Sequence, residues 1–245
     1  ERDLMTSFYT GMEDLMFGAG PSSSSQPPFP PVSLLHWITS TDDSTTENNS
    51  EEGFDGYAPV GWGSVGVGGI SPITYDQWRN RTFPYTVVDR PDFVEKTINS
   101  MDLCYFQPPV ERPDIVMQKK PNWELLTTHS RIAQARQLLQ LGNDNIGDDM
   151  AAHSGAVYIR GVPMVWVPAW TNSASANART DGIILGVNWS TFRCYYQPGR
   201  QMRKRKAFQH PEMSNVRVRC MDDALQLVCF NRRGNFRGYC TETVT

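Results

Sequence analysis

The sequence has no Cys-x-x-Cys pair, no two histidines at ligand spacing and no long apolar run. Five cysteines, Cys104, Cys194, Cys220, Cys229 and Cys240, are odd in number and widely spaced. That speaks against a disulfide framework or a zinc site. Free thiols buried as small hydrophobes in a reducing compartment are expected instead. His36, His129, His153 and His210 stand singly, as core or surface histidines do. The longest uncharged apolar stretch, Gly161 to Trp170, has ten residues and two prolines. A spanning helix needs about 20 apolar residues, so no membrane span is expected. Glu1-Arg2-Asp3 opens an amphipathic segment, so no signal peptide is expected either. The net charge of -3 excludes a strongly basic or acidic protein on the total. The 27 aromatic residues are too many for a fully disordered one.

Catalytic signatures are also missing. Neither Gly-x-Ser-x-Gly nor His-Glu-x-x-His occurs. Gly61 to Gly66 fits Gly-x-Gly-x-x-Gly, but Gly68-Gly69 and Pro72 follow and forbid the helix that a phosphate would meet. The kinase motifs that could replace that helix are absent too. The acidic run from Asp42 to Gly53 has Glu47 where a calcium loop needs its glycine. Asp148-Asp149 and Asp222-Asp223 read as solvated turns. The sequons at Asn48, Asn80 and Asn188 mean nothing without a secretory route. No enzymatic activity, cofactor or metal is expected.

What is present is uneven along the chain. Leu4, Phe8, Met12 and Leu15 predict a helix over 2–17, which Gly18 and Gly20-Pro21 stop. Pro21 to Pro31 holds five prolines and must be extended. From 18 to 72 the chain has little means of making its own core. Trp37, Phe54, Tyr57 and Trp62 in that stretch are candidate anchors on other subunits. A helix is predicted from Pro91, with Val94, Ile98, Met101 and Tyr105 as its buried stripe and Pro108-Pro109 as its end. Ile115 to Met117 reads as a short strand. A third helix runs from about Thr128 to Leu141, with Ile132, Ala135, Leu138 and Leu139 inward and Gly142 as cap. From 156 onward the period is that of strands: 157–160, 162–167, 182–187 and 225–230. Val216 to Cys220 alternates strictly, apolar on one face and basic on the other. Segregated helices and many strands predict an α+β fold.

The charges segregate too. Residues 1–60 hold ten acids and one arginine, while residues 193–237 hold eleven bases and three acids. The basic candidates are Arg200, Arg203, Lys204, Arg205, Lys206, Arg217 and Arg219, with Arg232, Arg233 and Arg237 beyond them. A solvated face, phosphate contacts and pairing with acidic segments of neighbouring copies all remain open for them. The acidic partner candidates are Asp42, Asp43, Glu47, Glu51, Glu52 and Asp55.

Several blocks carry a resemblance. They are Phe8 to Gly20; Gly68 to Pro72 with Tyr75 and Trp78-Arg79-Asn80; Asn143-Asp144-Asn145; Arg160 to Pro168; Gly186 to Trp189; and Leu227 to Phe236. In this order they resemble the tailed-bacteriophage major capsid proteins of the Hong Kong 97-type fold. The resemblance implies an N-terminal arm (1–35), an extended loop (36–87) and a peripheral domain with spine helix (88–112). An axial domain (113–188), a second peripheral segment (189–225) and an axial return (226–245) would follow. It implies self-assembly as hexamers and pentamers into an icosahedral shell, formed in a host cytoplasm around double-stranded DNA held non-specifically. A portal protein, and scaffolding or decoration proteins, would be its partners. Some members of the fold lock the shell through a lysine on the extended loop. Here the first lysine is Lys96, so no such cross-link is expected. A nucleic-acid-binding protein using the basic C-terminal third, or another structural virion component, are the rival readings.

Overall fold

The computed structural model describes residues 2–18, 33–41, 52–59, 62, 66–104, 123–141, 157–172, 182–209 and 217–241. The expected strand at 115–117, the extended run at 21–31, Tyr105, Pro108-Pro109 and Gly142 lie outside these. So do Asn143 to Asn145, Asp148-Asp149, His153 and His210.

The fold is α+β, built on a seven-stranded mixed sheet. Its strands are β1 (Gly53–Gly56), β2 (Asn80–Tyr85), β3 (Trp123–Thr127), β4 (Tyr158–Ile159), β5 (Val162–Trp166), β6 (Ile184–Asn188) and β13 (Phe236–Cys240). They lie in the order β1-β2-β13-β6-β3-β5-β4. β13 runs parallel to β2 and antiparallel to β6, so the last strand sits near the middle. β3 is antiparallel to β6 and parallel to β5.

Alternation along the strands divides the core. Leu126, Leu185 and Val187 join a cluster with Leu34, Trp37, Ile38 and Trp170. Leu125, Ile184, Phe83 and Phe236 join the other, with Phe93, Met101 and Ile132. A strand places successive side chains on opposite faces, and both faces here are covered, so the apolar runs are nearly continuous. Helices α3 (Glu95–Leu103) and α4 (His129–Leu141) cover the second cluster. Helix α2 (Leu34–Trp37) and the short helix α5 (Ala169–Asn172) cover the first. Helix α1 (Arg2–Phe17) is tied to α5 at its end: Trp170 Nε1 donates to Phe17 O at 2.7 Å and Ala169 N to Glu13 Oε1 at 3.0 Å. No helix among the described residues is long and apolar enough to cross a membrane.

Two sequence expectations need correction. The stripe predicted for the second helix is out of phase. A wide turn at Arg90–Val94, where Val94 N bonds to Asp89 O, precedes regular helix at Glu95. The extra residue in that turn rotates the buried face. Phe93, Thr97, Ser100 and Met101 are buried, whereas Val94 and Ile98 are half-buried. Residues 18–72, expected to lack a core, supply part of one. Every described residue from Ser33 to Thr41 except Leu35 is buried, and so are Ala58 and Val67. The reason is that side chains rather than a regular ladder satisfy this segment's backbone. Strands β1 and β2, from the segment 36–87, belong to the same sheet as β3 to β6 and β13.

Helix α4 agrees with its prediction: Ile132 and Ala135 are buried and Leu138 half-buried, while the side chain of Leu139 is outside those described. The β4–β5 hairpin turns at Arg160 and Gly161, with φ of 50° and 78°. Two left-handed residues suit the right-handed twist of such a hairpin.

Gly186 faces Phe236 directly across the β6–β13 pairing. A Cβ there would lie 2.1 Å from the Phe236 ring. Gly186→Ala should therefore destabilise the fold by about 1–3 kcal/mol through overpacking. Urea denaturation of the full chain measures this, and an unchanged midpoint would contradict the packing described.

Candidate functional site

After β6 the chain leaves the sheet through Asn188, whose Oδ1 accepts from Ser190 N and whose own N–H donates to Asn235 Oδ1 at 2.8 Å. It then forms a two-stranded antiparallel ribbon. The base pairs β7 (Phe192–Tyr196) with β12 (Leu225–Cys229), from Phe192↔Cys229 to Tyr196↔Leu225. On one face Phe192, Leu227 and Cys229 are buried against the body. On the other, Arg193 lies 5.2 Å from the centre of the Phe230 ring, and Tyr195 stacks edgewise on that ring. Tyr195, Tyr196 and Phe230 are about half exposed, at 51%, 44% and 51%.

Beyond Tyr196 the pairing breaks at a turn where Gly199 and Met202 have positive φ. It resumes as β8 (Arg203–Lys204) with β11 (Met221–Asp222), then β9 (Phe208–Gln209) with β10 (Arg217–Val218). Of the strictly alternating strand expected at 216–220, Arg217–Val218 is strand, as one short rung of this ribbon; Val216 lies outside the described residues. All 17 residues from Arg193 to Gln209 are exposed.

The ribbon gathers every predicted basic candidate. Arg200, Arg203, Lys204, Arg205, Lys206, Arg217 and Arg219 are all on it and all exposed. Arg205 pairs with Asp222. The remaining arginines of that tract behave differently. Arg232 is wholly buried, Arg237 is 6% exposed, and Arg233 stacks its guanidinium 4.0 Å over the Phe54 ring. The C-terminal charge is therefore partly internal.

Arg232 forms a hub beneath the ribbon. Its Nε donates to Trp37 O at 2.7 Å, its Nη1 to Trp78 O at 2.8 Å, and its Nη2 to Tyr57 O at 2.7 Å and Asn80 Oδ1 at 2.9 Å. Gly56 O and Thr39 Oγ1 lie 3.1 Å from the same Nη2. Burial pushes the guanidinium down to about 9, which leaves it charged at neutral pH. Asn80 completes the network by donating to Thr39 O at 2.8 Å. Trp37 then reaches the ribbon base, its Nε1 donating to Leu227 O at 3.1 Å. His36 is packed beside this network against Trp62, with ring centres 4.6 Å apart. Burial first, and the Arg232 charge second, lower its pKa from 6.5 to about 4.

The candidate anchors all pack within their own chain. Trp37 is 4% exposed and belongs to the core, so it is not a free interface anchor. Tyr57 carries Arg79 4.1 Å above its ring, Phe54 carries Arg233, and Trp62 carries His36. Among the acidic candidates, Glu52 pairs with Arg81 of its own chain and Asp55 is half-buried. Asp42, Asp43, Glu47 and Glu51 lie outside the described residues. Asn80 and Asn188 are buried, so neither sequon is presented to solvent; Asn48 lies outside the described residues.

No family model and no curated protein matches the sequence. In structure the chain is similar to a chain of the satellite phage P4 procapsid including size determination (Sid) protein, at 11% identity and a TM-score of 0.39. The likeness covers 84% of this chain and 57% of that one, so this chain spans little more than half of its length.

The described residues include no cluster of three or more histidines, cysteines or carboxylates that could hold a metal ion. Burial pushes the Cys104 thiol up to about 12 and the Cys229 thiol up to about 11, so both stay protonated and inert at neutral pH.

Sequence spacing did not single out Arg232, because adjacent arginines look alike whether solvated or buried. Replacing it by Met should cost about 3 kcal/mol or more, since several buried carbonyls lose their donor at once. Chemical denaturation checks this, and a loss under 1 kcal/mol would contradict the hub. His36 sets an acid limb. Its folded pKa is depressed, so its contribution is complete above the unfolded value near 6.5 and is lost as pH falls toward about 4. Stability should drop by up to about 3 kcal/mol across that window. His36→Phe should flatten this part of the profile, and an unaltered profile would refute the assignment.

Proposed function

We propose that this chain is the major capsid protein of a tailed double-stranded DNA phage, with a Hong Kong 97-type fold, assembling as hexamers and pentamers into an icosahedral shell. The observation that carries this reading is the ribbon. Among the described residues the ribbon is two strands wide, and Tyr195, Tyr196 and Phe230 at its base are about half exposed. A two-stranded element is marginally stable alone in water. Neighbouring copies that cover this aromatic base by heterologous contacts, closing into rings, supply the missing support.

The resemblance blocks strengthen the reading in a physical way. Trp78 and Asn80, then Gly186 and Asn188, then Arg232 and Asn235, come from three separate blocks. In the structure they build the hub, the close Gly186–Phe236 approach and the exit of the ribbon.

The pairing of acidic and basic segments between copies is narrowed. Glu52 and Arg81 meet within one chain. The half-exposed Tyr195, Tyr196 and Phe230 at the ribbon base are proposed as the contact with a neighbouring subunit, since tyrosine and other aromatics make good anchors. Portal, scaffolding or decoration proteins would meet the finished shell. The proposed setting is the virion.

Electron microscopy of the purified chain should show capsomer rings or shells. Tyr195→Ser with Phe230→Ser should leave a folded chain that stays small. The shells should dissolve into a single monomer band on a reducing, denaturing gel, because residues 36–87 hold no lysine. A dispersed monomer under all conditions would sink the reading.

A further inference from the structure

The outer half of the ribbon, residues 200–209 and 217–219, has a surface unlike its base. We infer that it is a DNA-binding element that grips the phosphate backbone of duplex DNA without reading its sequence. The duplex as occupant rests on the proposed shell function; the affinity for a polyanion rests on the ribbon alone.

Charge comes first. Residues 192–229 carry eight Lys and Arg against three Asp and Glu. Of those acids, Asp222 is taken by Arg205 and Asp223 is half-buried. Arg200, Arg203, Lys206, Arg217 and Arg219 meet no carboxylate among the described residues. Alternation comes second. Arg203 and Lys204 form strand β8, where successive side chains leave opposite faces, and Arg205 and Lys206 follow directly, so cations stand on both faces of the ribbon. Such a ribbon can neutralise phosphates on either side of its path. Presentation comes third. The base is fixed to the core through Phe192, Leu227 and the Trp37–Leu227 hydrogen bond, which holds the charged end away from the body.

A second copy of this chain fits the outer half less well than a nucleic acid does. The cores of protein interfaces are depleted of charge, and of lysine in particular. Protein–DNA interfaces are polar and strongly positive. Two acids of the first 60 residues also find their partners within their own chain: Glu13 accepts from Ala169 N, and Glu52 pairs with Arg81. Among the described residues of the outer half, Met202 and Phe208 are the large apolar side chains exposed, at 37% and 48%, too few for an apolar interface core.

The test uses the full chain and a variant carrying Arg200→Gln, Arg203→Gln, Lys204→Gln and Lys206→Gln. Arg205 is kept because it pairs with Asp222. Binding of a labelled 30-base-pair duplex and of a single strand of equal length is followed by fluorescence anisotropy over a salt series. The wild type should bind duplexes of unrelated sequence equally, with affinity falling steeply as salt rises. The slope of log affinity against log salt should shrink in the variant by about 3 to 4, as expected for four lost phosphate contacts. Circular dichroism should be the same for both, and so should assembly by electron microscopy. No duplex binding by the wild type at low salt, an unchanged slope in the variant, or tighter binding of the single strand would each overturn the inference. A variant that keeps the slope but no longer assembles would assign the outer ribbon to a neighbouring subunit and overturn it too. Shells without DNA binding would refute this inference and leave the shell function standing. DNA binding by a chain that never assembles would refute the shell function instead.

Discussion

The fold depends on one buried cation that meets no carboxylate among the described residues. Arg232 is fully enclosed and its donors end on backbone carbonyls and on the polar side chains of Thr39 and Asn80. Enclosing a charge costs several kcal/mol unless its hydrogen bonds are met. Here the planar fork of the guanidinium meets carbonyls from three stretches of chain, near residues 37, 57 and 78. These stretches are the end of α2, the end of β1 and the approach to β2, so the fork ties three element ends together. Each is placed by where Arg232 is, and Arg232 is placed by the turn between β12 and β13. The sheet centre, the buried strap at 33–41 and the ribbon base are thereby one mechanical unit.

That unit explains the division of labour in the charge distribution. An arginine inside the body is a cross-brace, and its neighbour a few residues away on the ribbon is a surface cation. Arg81, Arg131, Arg232 and Arg237 are buried, while Arg200, Arg203 and Lys206 are solvated. The sequence arithmetic counts the two kinds alike. Only burial separates those available to a partner from those already committed.

The readable parts of the sequence were those where local chemistry decides the outcome. Helix α4, the strands on either side of Gly161, β6 and β12 follow from periodicity, whereas β7 was not anticipated. The α+β class followed with them. What was not legible was tertiary in origin. The phase of the second helix was lost because the wide turn at Arg90–Val94 adds a residue that no periodicity shows. The strap at 33–41 was read as coreless because its partners, Asn80 and Arg232, are distant in sequence. Trp37 was read as an outward anchor for the same reason. The basic ribbon was half legible: its residues were identified, but its separation from the buried arginines was not.

The position of β13 has a consequence in time as well as in space. It lies between β2 and β6, yet it is the last strand in chain order. Its parallel register joins residues near 82 to residues near 237, a closure that spans most of the chain. Pairings this distant form late and slowly. On the ribosome, β2 and β6 have no partner between them, and Arg232 is not yet in place, until the chain has been made through residue 240. The sheet therefore cannot close before residues 236–240 have been made. Until then the ribbon base stands on a body that Arg232 has not yet braced.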